Sequence, residues 1–255
     1  MHQPKGSRRL ARFITVVACL LPAIGFVNLS SQAHAVAWSP TTLGSSLALW
    51  LDASDATTIT SSGGLVSEWR DKSGNNRHAT QTNAGNQPSV TGSAITFATN
   101  DKYMTGPMAP NTLPTSVQVT MVFTRTCCGS NGYDAHPFTL TSNNYPTPYD
   151  GYNDTLLVGG PTGAYWPFDG FADISTLTTR TILSTSMSAS KVAQYINGTL
   201  KKSVEGSFPY QDVPSRYYVA TRDDQYTHFT GEINEIVVTS ELSNANRANL
   251  EAYLG

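Results

Sequence analysis

Cysteine, charge and helical periodicity are all scarce in this chain, and each scarcity excludes something. Only three of the 255 residues are Cys, and two of them, Cys127 and Cys128, are neighbours. A bond between adjacent cysteines needs a strained small ring and closes no useful loop, so this is no disulfide scaffold. A vicinal disulfide and two thiols on opposite faces of a strand end are both open readings. No second Cys or His pair sits at the spacing of zinc ligands. Charged residues make up 13% of the chain. A Gly-x-Ser-x-Gly elbow, a metalloprotease motif and a phosphate-binding loop are all missing.

Long apolar runs are missing too. The longest, Phe13 to Val27, is short of the roughly 20 residues that cross a bilayer and contains Pro22. It follows Lys5, Arg8, Arg9 and Arg12 and precedes Ala33-His34-Ala35, a small-x-small cleavage pattern. Residues 1–35 therefore read as a secretory signal peptide cut after Ala35, with residues 36–255 as the mature domain, exported to the periplasm or the extracellular space. Cutting there removes four of the 16 Lys and Arg and none of the 18 Asp and Glu, leaving 12 against 18, or −6. That acidic balance excludes nucleic acid as partner, because phosphate needs a basic surface to neutralise it. No membrane insertion is expected.

What is present is strand after short strand. Runs of alternating or β-branched residues recur between clusters of Gly, Pro, Asn, Ser and Thr. The predicted strands are Ala48–Leu51, Val66–Arg70, Ala94–Phe97, Val117–Arg125, Phe138–Thr141, Thr155–Val158, Arg180–Met187, Lys191–Ile196, Thr199–Val204, Arg216–Ala220 and Gly231–Thr239. Val117, Val119, Met121 and Phe123 share one face, which must be buried. Asn197-Gly198, between two such runs, predicts a tight hairpin turn. The only helix expected starts at a Ser243 cap and runs from Asn244 to Leu254, lying across the end of the sheets. Many strands and one helix imply an all-β, two-sheet antiparallel sandwich. The near-continuous apolar run in Gly231–Thr239 places that strand deep in one sheet.

Two stretches carry a family resemblance. Leu49-Trp50-Leu51-Asp52-Ala53-Ser54-Asp55, with Val66-Ser67-Glu68-Trp69-Arg70-Asp71-Lys72-Ser73-Gly74-Asn75 and His78-Ala79-Thr80-Gln81, resembles the opening of bacterial laminin-G-like jelly rolls of the concanavalin A-like lectin/glucanase superfamily. Gly231-Glu232-Ile233-Asn234-Glu235-Ile236-Val237-Val238, then Leu242-Ser243, Arg247 and Tyr253-Leu254, resembles their close. The resemblance implies a jelly roll and a structural calcium near the rim. Asp52, Asp71 and Asn75, with Asp55 beside them, are the candidate ligands, being hard oxygen donors. The alternative is that Asp71–Asn75 is a turn held by its own side chains. Trp50, Trp69 and His78 are expected to be framework residues. The superfamily holds lectins, adhesion modules, glycosidases and lyases, so fold does not name function.

The middle of the chain breaks the rhythm. From Tyr133 to Asp173 it is rich in Tyr, Pro, Gly, Asn and Asp, and reads as long loops on one edge of the scaffold. Tyr149, Tyr152, Tyr165 and Trp166, interleaved with Asn153 and Asp169, are the candidate ligand-binding residues: rings stack on apolar sugar faces while amides and carboxylates take hydroxyls. The same aromatics could instead be plugs packed on the sheet. A retaining glucanase needs two carboxylates flanking one bond. A lyase could draw on Tyr133, His136, Arg125 and His228, but no spacing requires it. The leading expectation is a secreted carbohydrate-binding, lectin-like module taking a glycan or a cell-surface partner. The alternatives are a lyase or glycosidase of this fold, or a structural adhesion domain.

Overall fold

Fourteen strands and one helix build the described part of the chain. The computed structural model describes residues 37–99, 101–109, 112, 115–127, 137–141, 177–207, 216–221 and 229–255, without the side chains of Cys127 and Thr141. In chain order the strands are β1 Leu47–Asp52, β2 Ile59–Ser62, β3 Leu65–Trp69, β4 Ala79–Thr80, β5 Ser89–Thr91, β6 Ala94–Phe97 and β7 Met104–Pro107. Then come β8 Ser116–Cys127, β9 Phe138–Thr141, β10 Thr181–Ser188, β11 Lys191–Ile196, β12 Thr199–Glu205, β13 Arg216–Val219 and β14 Thr230–Thr239, before helix α1, Asn244–Leu254. Every pairing is antiparallel. The chain is an all-β sandwich with a short C-terminal helix.

The hydrogen-bonded path runs β12-β11-β10-β8-β14-β6-β5-β3-β4-β7-β13-β9, with β1 joined to β14 and β2 to β3. Side chains from both halves of that path meet in one core: Leu49, Val119, Phe123 and Ile236 from one, Val66, Trp69, Met104, Phe138 and Tyr217 from the other. The path therefore folds over on itself as two facing layers. Within the core the Phe138 and Tyr217 rings stack with centroids 5.5 Å apart, and Phe123 meets Phe229 edge-on at 5.8 Å.

Several expectations are met. Val117, Val119, Met121 and Phe123 are all buried in the core. Strand β14 is central, bonded to β8 along one edge and to β6 and then β1 along the other. Asn197 and Gly198 take φ of 47° and 81° in the β11–β12 hairpin, the left-handed pair that matches strand twist. Ser243 caps α1, its hydroxyl accepting from Asn246 N at 3.2 Å.

Two expectations are revised. The helix does not lie across the end of the sheets. Leu250 and Leu254 pack on Val122, Ile182 and Val237, the outer face of the β1/β14/β8/β10 layer, and make a second small core there. The one-face burial of β8 becomes burial on both faces as a result, with Gln118 and Thr120 also enclosed. The second revision concerns β14, where a bulge between Ile233 and Glu235 leaves Asn234 unmatched on β8. Ile233 lies opposite Phe123 and Ile236 opposite Met121, both inward, so Glu232 and Glu235 lie opposite Thr124 and Val122 on one outer face. A regular strand would have separated them.

Candidate functional site

Tyr149, Tyr152, Asn153, Tyr165, Trp166 and Asp169 lie outside the described residues, as do the predicted strand at 155–158, Cys128, Tyr133, His136 and His228. The framework does locate the ends of that segment. Thr141 ends β9, the last strand of one half, bonded to β13. Thr181 begins β10, which lies inside the other half between β8 and β11. Residues 142–180 thus connect one layer to the other. Arg125, the remaining candidate for lyase chemistry, is buried at 4% exposure.

The described residues do contain one dense cluster of polar and aromatic groups, on the outer face where β1 meets β14. Asp52 of β1 pairs with Glu235 of β14, and Trp50 with Val237, so Trp50, Asp52 and Glu235 project the same way. The Trp50 indole N–H donates to Glu235 Oε1 at 2.7 Å. Tyr253 of α1 meets the Trp50 ring at 6.2 Å edge-on, and Trp38 meets Tyr253 at 5.9 Å. Tyr253 is 38% exposed, whereas Trp50 is almost covered. Burial pushes the Glu235 carboxyl up to about 7; the Trp50 hydrogen bond opposes this, the Asp52 charge adds to it, and Lys72 and Arg180 pull it back. Burial also raises the Tyr253 phenol, helped by Glu235 and Asp52.

Lys72 lies under this cluster. Its ammonium is 2.8 Å from Asp52 Oδ2, 3.0 Å from Asp55 Oδ2 and 4.4 Å from the centre of the Trp50 ring. The Lys72 backbone N–H donates to Trp50 O at 2.7 Å, which ties the turn to β1. Burial pulls the Lys72 ammonium down, but the bonds to Asp52 and Asp55 outweigh it and its pKa is raised.

The candidate calcium ligands are described, and the carboxylate oxygens of Asp52 and Asp71 face donors. Asp71 Oδ1 accepts from the backbone N–H of Trp50 (3.0 Å) and Ser73 (2.8 Å), and Oδ2 from Ser73 Oγ (2.8 Å) and Arg77 N (3.0 Å). Asn75 turns its Nδ2 to Leu47 O and Ala48 O, both at 3.1 Å. Asp52 Oδ1 is taken by Ser54 N and Oγ. Among the described residues no group of three or more His, Cys, Asp and Glu side chains is placed to hold a metal ion. As arranged, Asp52, Asp71 and Asn75 do not fit one: calcium takes six to eight oxygens, Asp52 and Asp71 turn theirs to N–H, O–H and ammonium groups, and Asn75 points its amide nitrogen at the β1 carbonyls.

Trp69 is in the core with no exposure, as a framework residue should be, while Trp50 belongs to the outer cluster. His78 is structural in its contact, Nδ1 accepting from Asp71 N at 3.0 Å. The Trp50–Glu235 contact joins residues 185 apart, and periodicity along either strand carries no trace of it. The signal available was Asn234 itself, since β-bulges re-aim the side chains that follow them. A cleft of about 350 Å³ lies elsewhere, between α1, Ile182 and the Asn197-Gly198 turn, beside the Arg247–Glu251 ion pair. No helix among the described residues is long and apolar enough to cross a membrane.

No protein-family model matches the chain, and no curated protein matches it in sequence. Solved structures do match in shape. A Trypanosoma rangeli sialidase in complex with 2-keto-3-deoxy-D-glycero-D-galacto-2,3-difluoro-nononic acid is 14% identical, with a TM-score of 0.53 over 81% of this chain and 32% of its own. A botulinum neurotoxin type C, whose cell entry depends upon interaction with two ganglioside molecules, is 14% identical, with a TM-score of 0.54 over 85% of this chain and 53% of its own. The ligand binding domain of botulinum neurotoxin serotype D in complex with N-acetylneuraminic acid is 11% identical, with a TM-score of 0.51 over 84% and 52%. The chain spans about half the length of the neurotoxin structures and a third of the sialidase. At such identities the likeness is one of fold, and the fold is a β-sandwich.

Proposed function

We propose that the chain is an exported, non-catalytic glycan-recognition module whose contact residues are Tyr149, Tyr152, Asn153, Tyr165, Trp166 and Asp169. One observation carries this reading: aromatic, amide and carboxylate side chains are concentrated in the connection between β9 and β10, on a scaffold whose own strands are spent on the core. Aromatic rings supply sugar-stacking faces, and amides and carboxylates supply partners for hydroxyls. Export rests on residues 1–35, with their basic start, apolar stretch and Ala33-His34-Ala35. Proteins of like fold that hold N-acetylneuraminic acid or a difluorinated nonulosonic acid support placing sialylated glycans first on the array.

A glycan array followed by titration of the best ligand tests the reading, with Trp166→Ala as the decisive variant. A sugar-stacking Trp166 costs roughly 1–3 kcal/mol of binding when truncated, with little loss of stability. A core-plug Trp166 costs about 3–5 kcal/mol of folding stability and leaves affinity unchanged in the folded fraction, and that outcome rejects the proposal.

A glycosidase is the second reading, favoured by the β14 bulge that puts Glu232 and Glu235 on one face and by the neutral-range titration of Glu235. Reducing-end release from the array hits, lost in Glu235→Gln, decides for it. Unsaturated uronate in the same digests decides for a lyase.

A further inference from the structure

We infer that Lys72 is the built-in cation of the rim made by Asp52 and Asp55, and that this corner of the sandwich is held by an ammonium group in place of a metal ion. Three contacts define the position of Nζ: the carboxylate oxygens of Asp52 and Asp55 and the face of Trp50. An ammonium has three donors and accepts nothing, so two carboxylates and a π face satisfy it. Its backbone is fixed beforehand by the Lys72 N to Trp50 O bond and by the bridge between Leu51 and Asp71 next to it. Only side-chain freedom is then lost on forming the contacts.

The surrounding groups close the corner to a second cation. The Lys72 side chain keeps 23% exposure while that of Asp52 keeps 5%, so any ion reaching Asp52 must displace the ammonium. The next carboxylate, Asp71, is saturated by four donors and serves as an anchor for the turn. A metal would find two free-facing carboxylates at most, well short of the six to eight oxygens that calcium takes.

The test uses the full mature chain and needs no knowledge of its ligand. The wild type is expected to show the same melting temperature in excess calcium and in chelator, and to contain no stoichiometric metal by elemental analysis. Lys72→Met leaves two carboxylates without their partner, and its melting temperature is expected to fall by roughly 3–8 °C. Adding calcium should recover part of that loss, and Lys72→Arg, which keeps the charge on a bulkier planar group, should melt above Lys72→Met. A wild type that loses stability in chelator, or that carries a bound metal, overturns the inference. So does a Lys72→Met variant that melts like wild type. If Lys72→Met does not fold, the wild-type chelator experiment and Lys72→Arg still decide.

Discussion

Glu235 ties the stability of this sandwich to pH in an unusual direction. Its carboxyl is held at about 7 against an ordinary 4.5, chiefly by burial. The folded state therefore binds a proton that the unfolded state has released between those values, and folding is favoured at the acid end of the window. Stability falls as pH rises from about 4.5 to about 7 and is level above that. A difference of some 2.5 pK units corresponds to about 3 kcal/mol at about 1.4 kcal/mol per unit. The groups facing the carboxyl are Asp52, Trp50, Lys72, Arg180 and Tyr253.

Glu235→Gln isolates the effect. Glutamine keeps an oxygen for the Trp50 indole N–H, fills the same volume and stays neutral at every pH. The variant should match wild type near pH 4, exceed it by somewhat under about 1 kcal/mol at pH 5 and by up to about 3 kcal/mol near pH 8. Denaturant unfolding of both proteins from pH 4 to pH 8, followed by circular dichroism, reads the difference directly, because histidine titrations common to both cancel. Trp50 offers a second readout: the wild-type indole absorbance should titrate with a midpoint near 7 and that of the variant should not. A stability difference that is flat across the range, or that grows toward acid, refutes the reasoning.

Two further outcomes follow from packing and capping. A Cβ at Gly106 would run into the ring of the fully buried Tyr217, so Gly106→Ala should cost about 3 kcal/mol by thermal or denaturant unfolding. Ser243→Ala removes the hydroxyl that caps α1 and should cost about 1 kcal/mol in the same assay, with the loss of Leu250 and Leu254 contacts appearing first in hydrogen exchange of the helix.

Local pattern made some of this architecture legible and hid the rest for definite reasons. Alternation in Val117–Phe123, the Asn197-Gly198 pair and the Ser243 cap are short-range signals, and each element appears where such signals place it. Strands β2, β4, β5 and β7 escape the same reading. They are two to four residues long and mix Thr, Ser, Gly and Pro with few apolar side chains, so pairing with their partner strands defines them and periodicity does not. The reading of the rim turns on a related point. Asp52, Asp55, Asp71 and Asn75 resemble a ligand set when only the oxygens are counted. Lys72, one residue from Asp71 in sequence, changes the chemistry by placing its charge 20 residues back along the chain. Two members of the outer cluster, Tyr253 of α1 and Trp38, lie outside the strands, and no strand pattern links them to Glu235.

The bulge at Asn234 is what allows one strand to serve both the core and the outer cluster. Ile233 and Ile236 both face inward against Phe123 and Met121, which strict alternation forbids at a spacing of three. The unmatched Asn234 restores the phase, and it is held at both ends of its own residue: its carbonyl accepts from Ala53 N at 2.9 Å, and Nδ2 donates to Ser93 O at 3.0 Å. Deleting Asn234 removes the bulge without changing the phase, because Glu235 then follows Ile233 directly and Ile236 stays on the inner face, two places on from Ile233. What is lost is the local bend and the two hydrogen bonds of Asn234, so the deletion is expected to fold and to cost about 1–3 kcal/mol in denaturant unfolding. Asn234→Gly keeps the extra residue, gives up only an exposed side-chain hydrogen bond, and should lose no more than about 1 kcal/mol in denaturant unfolding. A deletion variant that does not fold would mean that the bend made by the bulge, and not the phase of Ile233 and Ile236 alone, is a requirement of the fold.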